Sequence, residues 1–278
     1  MAVDLTTVEA RETAAQVLHA ALKPRGLDRV RLPNLVGVGT ARAATTFLHG
    51  LLRSQPAIYV TPVKETNYFG IASRKRMTLR EYRMLFIGQD EQPFVAELTP
   101  AYLHLPGALE EMAATLDAPK IIVNLREPVA RLVSHFKFDA SKHGIPDLAT
   151  YLDQAVDAAA DARPWIAPRR VLGLSVYAEA LERLFDMFGR ENCCLLAYDD
   201  VDDDGRRWLA QLSAFIGAEL QPLVPDRVFT NASASHPAPM PDTPAAAEIL
   251  AMFEADAAKL RKLIGDDLPN RWAAARRS

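Results

Sequence analysis

The sequence predicts an α/β protein in which a central parallel sheet is flanked by helices. Three observations carry this expectation. Residues 34 to 52 pass from a short apolar run through a loop of small residues into an apolar-periodic helix. Residues 120 to 125 form a continuous apolar run after Pro119, the pattern of a strand covered on both faces, and residues 193 to 198 repeat it. Amphipathic helical stretches separate these runs, so strands alternate with helices along the chain.

The chain has 278 residues, 49% hydrophobic and 24% charged, enough to bury one large core, and no Pro/Gly/Ser-rich linker divides it. The expectation is therefore a single domain over residues 1 to 278. A net charge of -3 gives no global attraction to nucleic acid or anionic membrane, so neither is expected as a partner and any anion site is built locally. No apolar run approaches the roughly 20 residues of a membrane span, and residues 1 to 11 carry acids without the apolar core of a signal peptide. A cytoplasmic location is the default expectation.

Residues 6 to 22 read as a helix, with Thr6 and Glu9 at capping-box spacing. The organising stretch follows. Its apolar run ends at Gly39, its loop holds Arg42 among small residues, and its helix starts near Thr46, so loop amides and a positive helix end face one point. Arg42, Thr45 and Thr46 add charge and hydroxyl donors to this phosphate cradle. Against the pattern G-x-x-x-x-G-K-[ST], Gly39 and Thr46 fit, but Ala44 replaces the second glycine and Thr45 the lysine. The loop is thus P-loop-like, and an ordinary ATP or GTP loop is disfavoured.

Residues 58 to 60 read as a brief strand, followed by Lys64 and Glu65 between apolar flanks; on an arbitrary surface such a pair is a solvated couple worth little. Residues 71 to 92 read as a basic, exposed helical excursion with no chemistry assigned. Residues 94 to 97 read as a strand ending on Glu97, ahead of Leu98-Thr99-Pro100-Ala101-Tyr102. The run from residue 120 ends at Arg126, and Pro128 opens a helix carrying Arg131, Ser134 and Phe138. Ligands of open α/β sheets sit beyond the carboxyl ends of strands, where Arg126 emerges.

Residues 141 to 172 are an Ala/Asp-rich helix and a Pro/Trp/Arg loop, a candidate lid or acceptor-binding element; an ordinary surface insertion fits equally. Residues 173 to 188 read as an amphipathic helix closed by Gly189. Cys193 and Cys194 point to opposite faces of their strand, as buried thiols. The acidic run 199 to 204 reads as a solvated turn, with no metal assigned, before a helix over 206 to 216. Residues 222 to 244 are proline-rich, and a last helix runs from Pro244 to Ile264 with Leu250, Phe253, Leu260 and Leu263 as its core face.

The ordered set Arg42-Ala43-Ala44-Thr45-Thr46, Lys64-Glu65 with Tyr68-Phe69 behind it, the acid, Thr-Pro and tyrosine segment from Glu97 to Tyr102, and the string from Lys120 to Ser134 resembles the sulfotransferases that use 3′-phosphoadenosine 5′-phosphosulfate (PAPS), in particular bacterial members related to heparan sulfate-type enzymes. The resemblance covers residues 33 to 265. It implies that Arg42, Ala43, Ala44, Thr45 and Thr46 hold the 5′-phosphosulfate and that Arg126 and Ser134 hold the 3′-phosphate. It implies in-line transfer of the sulfuryl group to an acceptor hydroxyl, or less readily an amine, with Glu65 as general base, Lys64 orienting sulfuryl oxygens or acceptor, and Arg42 balancing charge on the leaving phosphate. No metal is expected, and 3′-phosphoadenosine 5′-phosphate is the product. The placements of Gly173, Tyr177 and Tyr198 resemble the family's structural positions, and residues 222 to 244 match a region that covers the nucleotide.

Departures from the family pattern are Arg42 for the usual lysine, Ala44 for glycine, Leu98 where a lysine follows the acid, and the absence of a Lys-Gly-Arg segment late in the chain. The missing lysine beside Glu97 and the modest charge favour a small hydroxylated metabolite, lipid or glycan as acceptor, with Tyr68, Phe69, Tyr102, Phe138 and Trp165 as candidate lining. His49 and His135 are alternative bases, His49 on an apolar helix face where it packs. Two rival functions are a P-loop nucleotide kinase, which needs a loop lysine and a magnesium-holding acid, and a non-catalytic nucleotide-binding relative, which would have no use for Glu65.

Overall fold

The apolar runs read from the sequence become strands because both faces of each are covered. The computed structural model describes residues 27–70, 77–157, 168–201, 205–221 and 240–275. β1 (Leu35–Gly39) leads through the small-residue loop into α1 (Thr45–Arg53); β2 (Ile58–Val60) precedes α2 (Leu79–Met84), β3 (Phe94–Leu98) precedes α3 (Ala108–Thr115), and β4 (Lys120–Leu125) precedes α4 (Pro128–His143). Then come α5 (Leu148–Val156), α6 (Pro168–Gly173), α7 (Ala178–Phe188), β5 (Cys193–Ala197), α8 (Arg206–Ile216), α9 (Pro244–Ile264) and α10 (Asp267–Ala275). The five strands form one parallel sheet in the order β2-β3-β1-β4-β5, flanked by helices. The helix expected over residues 6 to 22 and most of the proline-rich stretch 222 to 244 lie outside the described residues.

Strand alternation divides the core. Val36, Val95, Ile121, Val123 and Cys193 pack on one face with α3 and α7, while Leu35, Ala96, Ile122, Cys194 and Leu196 pack on the other with α1 and α8. The two neighbouring thiols therefore enter opposite cores, as their spacing requires, and burial pushes both up to about 12. Each fully buried aliphatic contributes about 1.5 to 3 kcal/mol, so the central strands anchor the loops at their carboxyl ends. β1 ends on Gly39, at φ 153, where an added Cβ would stand 2.9 Å from the Pro100 carbonyl oxygen; only glycine lets the chain turn there.

Several expectations are corrected by packing. The helix at residues 79 to 84 is exposed only on its first turn, at Leu79, Arg80 and Glu81: Tyr82, Leu85 and Phe86 are buried, and Tyr82 stacks on Tyr68 with ring centroids 3.9 Å apart. Glu97 does not end its strand but lies wholly buried within it. Within the 141 to 172 excursion, Tyr151, Leu152 and Ala155 are buried and pack with α9; Trp165 lies outside the described residues. The helix read from residue 173 starts instead at Ala178, because Asp256 of α9 accepts the Tyr177 and Ala178 N–H groups and caps α7 from far along the chain. Asp199 and Asp200 do more than form a solvated turn: Asp199 takes the Trp272 indole N–H, and Asp200 pairs with Arg271 at 2.6 Å, which docks the unanticipated α10. On α9, Ile249, Phe253, Ala257 and Leu260 form the buried face, with Leu250 and Leu263 only partly buried.

Candidate active site

The loop after β1 is held from the neighbouring β4 side. The Asn124 carbonyl accepts both the Thr40 N–H (2.7 Å) and the Thr40 hydroxyl (3.0 Å), and Asn124 Nδ2 donates to the Ala43 carbonyl at 3.1 Å. Arg126 Nη1 donates to the Arg42 carbonyl at 2.9 Å, and Arg131 Nη1 reaches the Ala41 carbonyl at 3.5 Å. Three consecutive loop carbonyls are thus taken up by side chains of β4, of α4 and of the turn between them. Ala44, the N-cap of α1, has a methyl side chain and caps nothing, so the first N–H groups of α1 keep the donor capacity every helix start has. Ala44 adopts φ 58, ψ 30 and Arg42 φ 71, left-handed geometry that glycine takes without cost. The loop therefore keeps a glycine-like path although alanine stands there.

Two clusters of the expected residues stand around this loop. In the first, Lys64 Nζ donates to Thr46 Oγ1 at 2.7 Å and lies 3.4 Å from the Glu65 carboxylate. Both side chains are partly open, 34% and 42% exposed, so a second molecule can reach them. Glu65 sits at φ 59 and Asn67 at φ 50; the Glu65 N–H donates to the Leu98 carbonyl, and Asn67 Nδ2 donates to the Glu65 carbonyl at 2.7 Å. A buried group fixes the segment from below. Thr66 donates its hydroxyl to the Glu97 carboxyl, Tyr102 shares a 3.0 Å hydrogen bond with Thr66, and the Tyr102 oxygen accepts the Tyr68 and Phe69 N–H groups. Burial pushes Glu97 up to about 7, opposed by the hydrogen bond from Thr66. This anchoring by Glu97 was not read from the sequence, where only its Thr-Pro-x-Tyr neighbourhood stood out.

In the second cluster, Arg42 Nε donates to Ser134 Oγ at 3.2 Å and its guanidinium lies over the Phe138 ring at 5.1 Å. Arg126, nearly buried, lies over Tyr198 at 4.1 Å, its Nε has no partner among the described residues, and the Tyr177 hydroxyl donates to its carbonyl. Glu127 caps α4 by accepting the Ala130 N–H. Thr45 opens α1 and Ala43 is buried beneath the loop.

The two histidines are neutral. Burial, then Lys64 and Arg53, lower His49 to about 4; burial, then Arg131 and Arg42, lower His135 to about 3. A guanidinium has no lone pair, so the 3.2 Å contact between Arg131 Nη1 and His135 Nδ1 uses the imidazole's own acceptor. Tyr68, Phe69 and Tyr102 belong to the aromatic core, whereas Phe138 is exposed beside Arg42.

A parallel sheet carrying a cradle of this kind at its carboxyl edge defines the P-loop-like class of α/β proteins. Within that class the chain belongs to the sulfotransferase family, whose Sulfotransferase domain model matches residues 36–258. It is 31% identical over 109 residues to the Membrane-associated sulfotransferase kil1 of Dictyostelium discoideum; the match covers 38% of this chain and 23% of that protein. The crystal structure of a sulfotransferase from Alicyclobacillus acidocaldarius superposes with a TM-score of 0.71 at 27% identity, covering 88% of this chain and all of that one. Among the described residues no helix is long and apolar enough to cross a membrane.

Proposed function

We propose that this sulfotransferase takes the sulfuryl group from PAPS and passes it to an acceptor hydroxyl, less readily an amine, on a small metabolite, lipid or glycan. The observation that carries the reading is the spacing of charge around one loop: a cation and a carboxylate side by side at Thr46, and guanidinium groups beside Ser134. The donor suits these residues. A buried Arg126 Nε without a partner and a helix start without a side-chain cap are what two anionic groups on one nucleotide would satisfy. When bound, the donor supplies a sulfuryl group on an activated phosphate leaving group.

The chain's own residues then divide the work. The α1 amides, Thr45 and Thr46 hold the 5′ end, and Lys64 places its charge at the mouth of the loop, where negative charge grows on the leaving phosphate. Glu65 takes the acceptor proton; its carboxylate is partly open to solvent and stands 3.4 Å from the Lys64 ammonium, where an acceptor can reach it. Arg126 and Ser134 grip the 3′-phosphate. Calorimetry tests the donor assignment: 3′-phosphoadenosine 5′-phosphate is expected to bind in the presence of a chelator and more tightly than ATP. Equal affinity for the two, or binding of either only with magnesium, returns the chain to the kinase reading.

A further inference from the structure

We infer that Arg42, although carried by the 5′-phosphate loop, serves the 3′-phosphate end of the donor site and sets the preference for 3′-phosphorylated nucleotides, while Lys64 stands in for the loop cation beside Thr46. This deepens the function proposed above and rests on it. Position 42 is where the family pattern places the lysine of the 5′ loop. Here the backbone at that residue is left-handed, and the side chain runs to α4, where Ser134 and Phe138, one helical turn apart on one face, take its Nε and its flat face. The main chain is drawn the same way, since Arg126 Nη1 holds the Arg42 carbonyl. Both ends of Arg42 are thus tied to the two residues assigned to the 3′-phosphate. The place beside Thr46 is filled by Lys64 at 2.7 Å.

Charge supports the same division. Arg42, Arg126 and Arg131 lie close enough that Arg126 depresses Arg42, after burial, and that both add to the burial that brings Arg131 down to about 10. Among the described residues, no carboxylate is within ion-pair distance of any of the three; Asp139, the acid that favours Arg42, stands 3.8 Å from His135 instead. Buried cations with no carboxylate at ion-pair distance among the described residues repel one another, and a phosphate monoester carrying about -1.5 to -2 at pH 7 removes that repulsion. Arginine suits it better than lysine, because a planar fork held flat on Phe138 presents parallel donors to phosphate oxygens.

Calorimetry with 3′-phosphoadenosine 5′-phosphate and with adenosine 5′-monophosphate, which lacks the 3′ group, tests the assignment on the whole chain. Arg42→Ala is expected to weaken the bisphosphate at least tenfold and the monophosphate less than about threefold, while Lys64→Ala weakens both by a similar factor. Arg42→Lys, which keeps the charge and loses the fork, is expected to fall between wild type and Arg42→Ala for the bisphosphate alone, and it carries the test if the alanine variant does not fold. Equal losses for both nucleotides in the Arg42 variants put Arg42 back at the 5′ end and overturn the inference; unchanged affinity for both reduces it to a contact of α4. A wild-type chain without preference for the bisphosphate would instead remove the donor reading itself, before any variant is compared.

Discussion

Lys64 and Thr46 come from different segments, 18 residues apart, and meet at 2.7 Å at the entrance of the phosphate loop. If that ammonium neutralises charge that grows only as the leaving group departs, its removal costs turnover more than binding. Lys64→Ala is expected to lower kcat by about 100- to 1,000-fold with a much smaller change in donor KM. Steady-state kinetics decide; a raised KM with kcat intact would mean that Lys64 only binds the donor.

Among the described residues, Glu65 is the one carboxylate at ion-pair distance from that cation. Glu65→Gln keeps the shape and loses the proton acceptor, so turnover is expected to fall by about 100-fold or more while affinity for 3′-phosphoadenosine 5′-phosphate stays within a few-fold. Near-normal turnover would contradict the base role. His135 would then be a poor substitute, since Arg131 already occupies its acceptor nitrogen.

Ala44 holds a left-handed backbone at the start of α1. Glycine relieves a strain of about 1 to 2 kcal/mol but loses about 0.4 to 1 kcal/mol through the looser unfolded chain. Ala44→Gly is therefore expected to be neutral to slightly stabilising in urea unfolding. A loss of stability would show that the methyl contributes packing that outweighs the strain.

The pattern of strands was legible because continuous apolar runs leave few alternatives, and the elements of the loop and the Pro128 helix start followed from local chemistry. What could not be read depends on partners far along the chain. Asp256 sets the start of α7 from 78 residues away, and Glu97 acts through Thr66 across 31. Arg42 read as a 5′ residue because its position in the loop is local, whereas the direction of its side chain is set by Ser134, 92 residues on. The residue types of the site were visible; their grouping into two clusters was not.

The buried titratable groups give a pH dependence with a definite sign. His49, His104 and His135, with folded values of about 4, 4 and 3 against 6.5, are protonated first in the unfolded chain. Their contribution is whole above pH 6.5 and declines as pH falls towards 4, by about 1.4 kcal/mol per pH unit for each group. Glu97, raised from 4.5 to about 7, works oppositely: its folded form keeps a proton that the unfolded chain has lost, so its contribution declines as pH rises through that window. Asp256, which burial also raises, works in the same direction as Glu97; with three histidines against these two carboxyls, unfolding free energy is expected to rise from pH 4.5 to 6.5. Replacing Glu97 by Gln should steepen that rise; an unchanged slope in the variant would place the Glu97 value near that of an ordinary carboxyl.

The most direct measurement incubates the purified chain with radiolabelled PAPS and pooled hydroxyl-bearing metabolites, lipids and glycans, and identifies labelled product by mass. The account expects an acceptor heavier by one sulfuryl group, formed together with an equal amount of 3′-phosphoadenosine 5′-phosphate, and about 100-fold less of both with Glu65→Gln at the same enzyme concentration and time. Release of the nucleotide without any sulfated acceptor, or equal product from the Glu65→Gln chain, would contradict it.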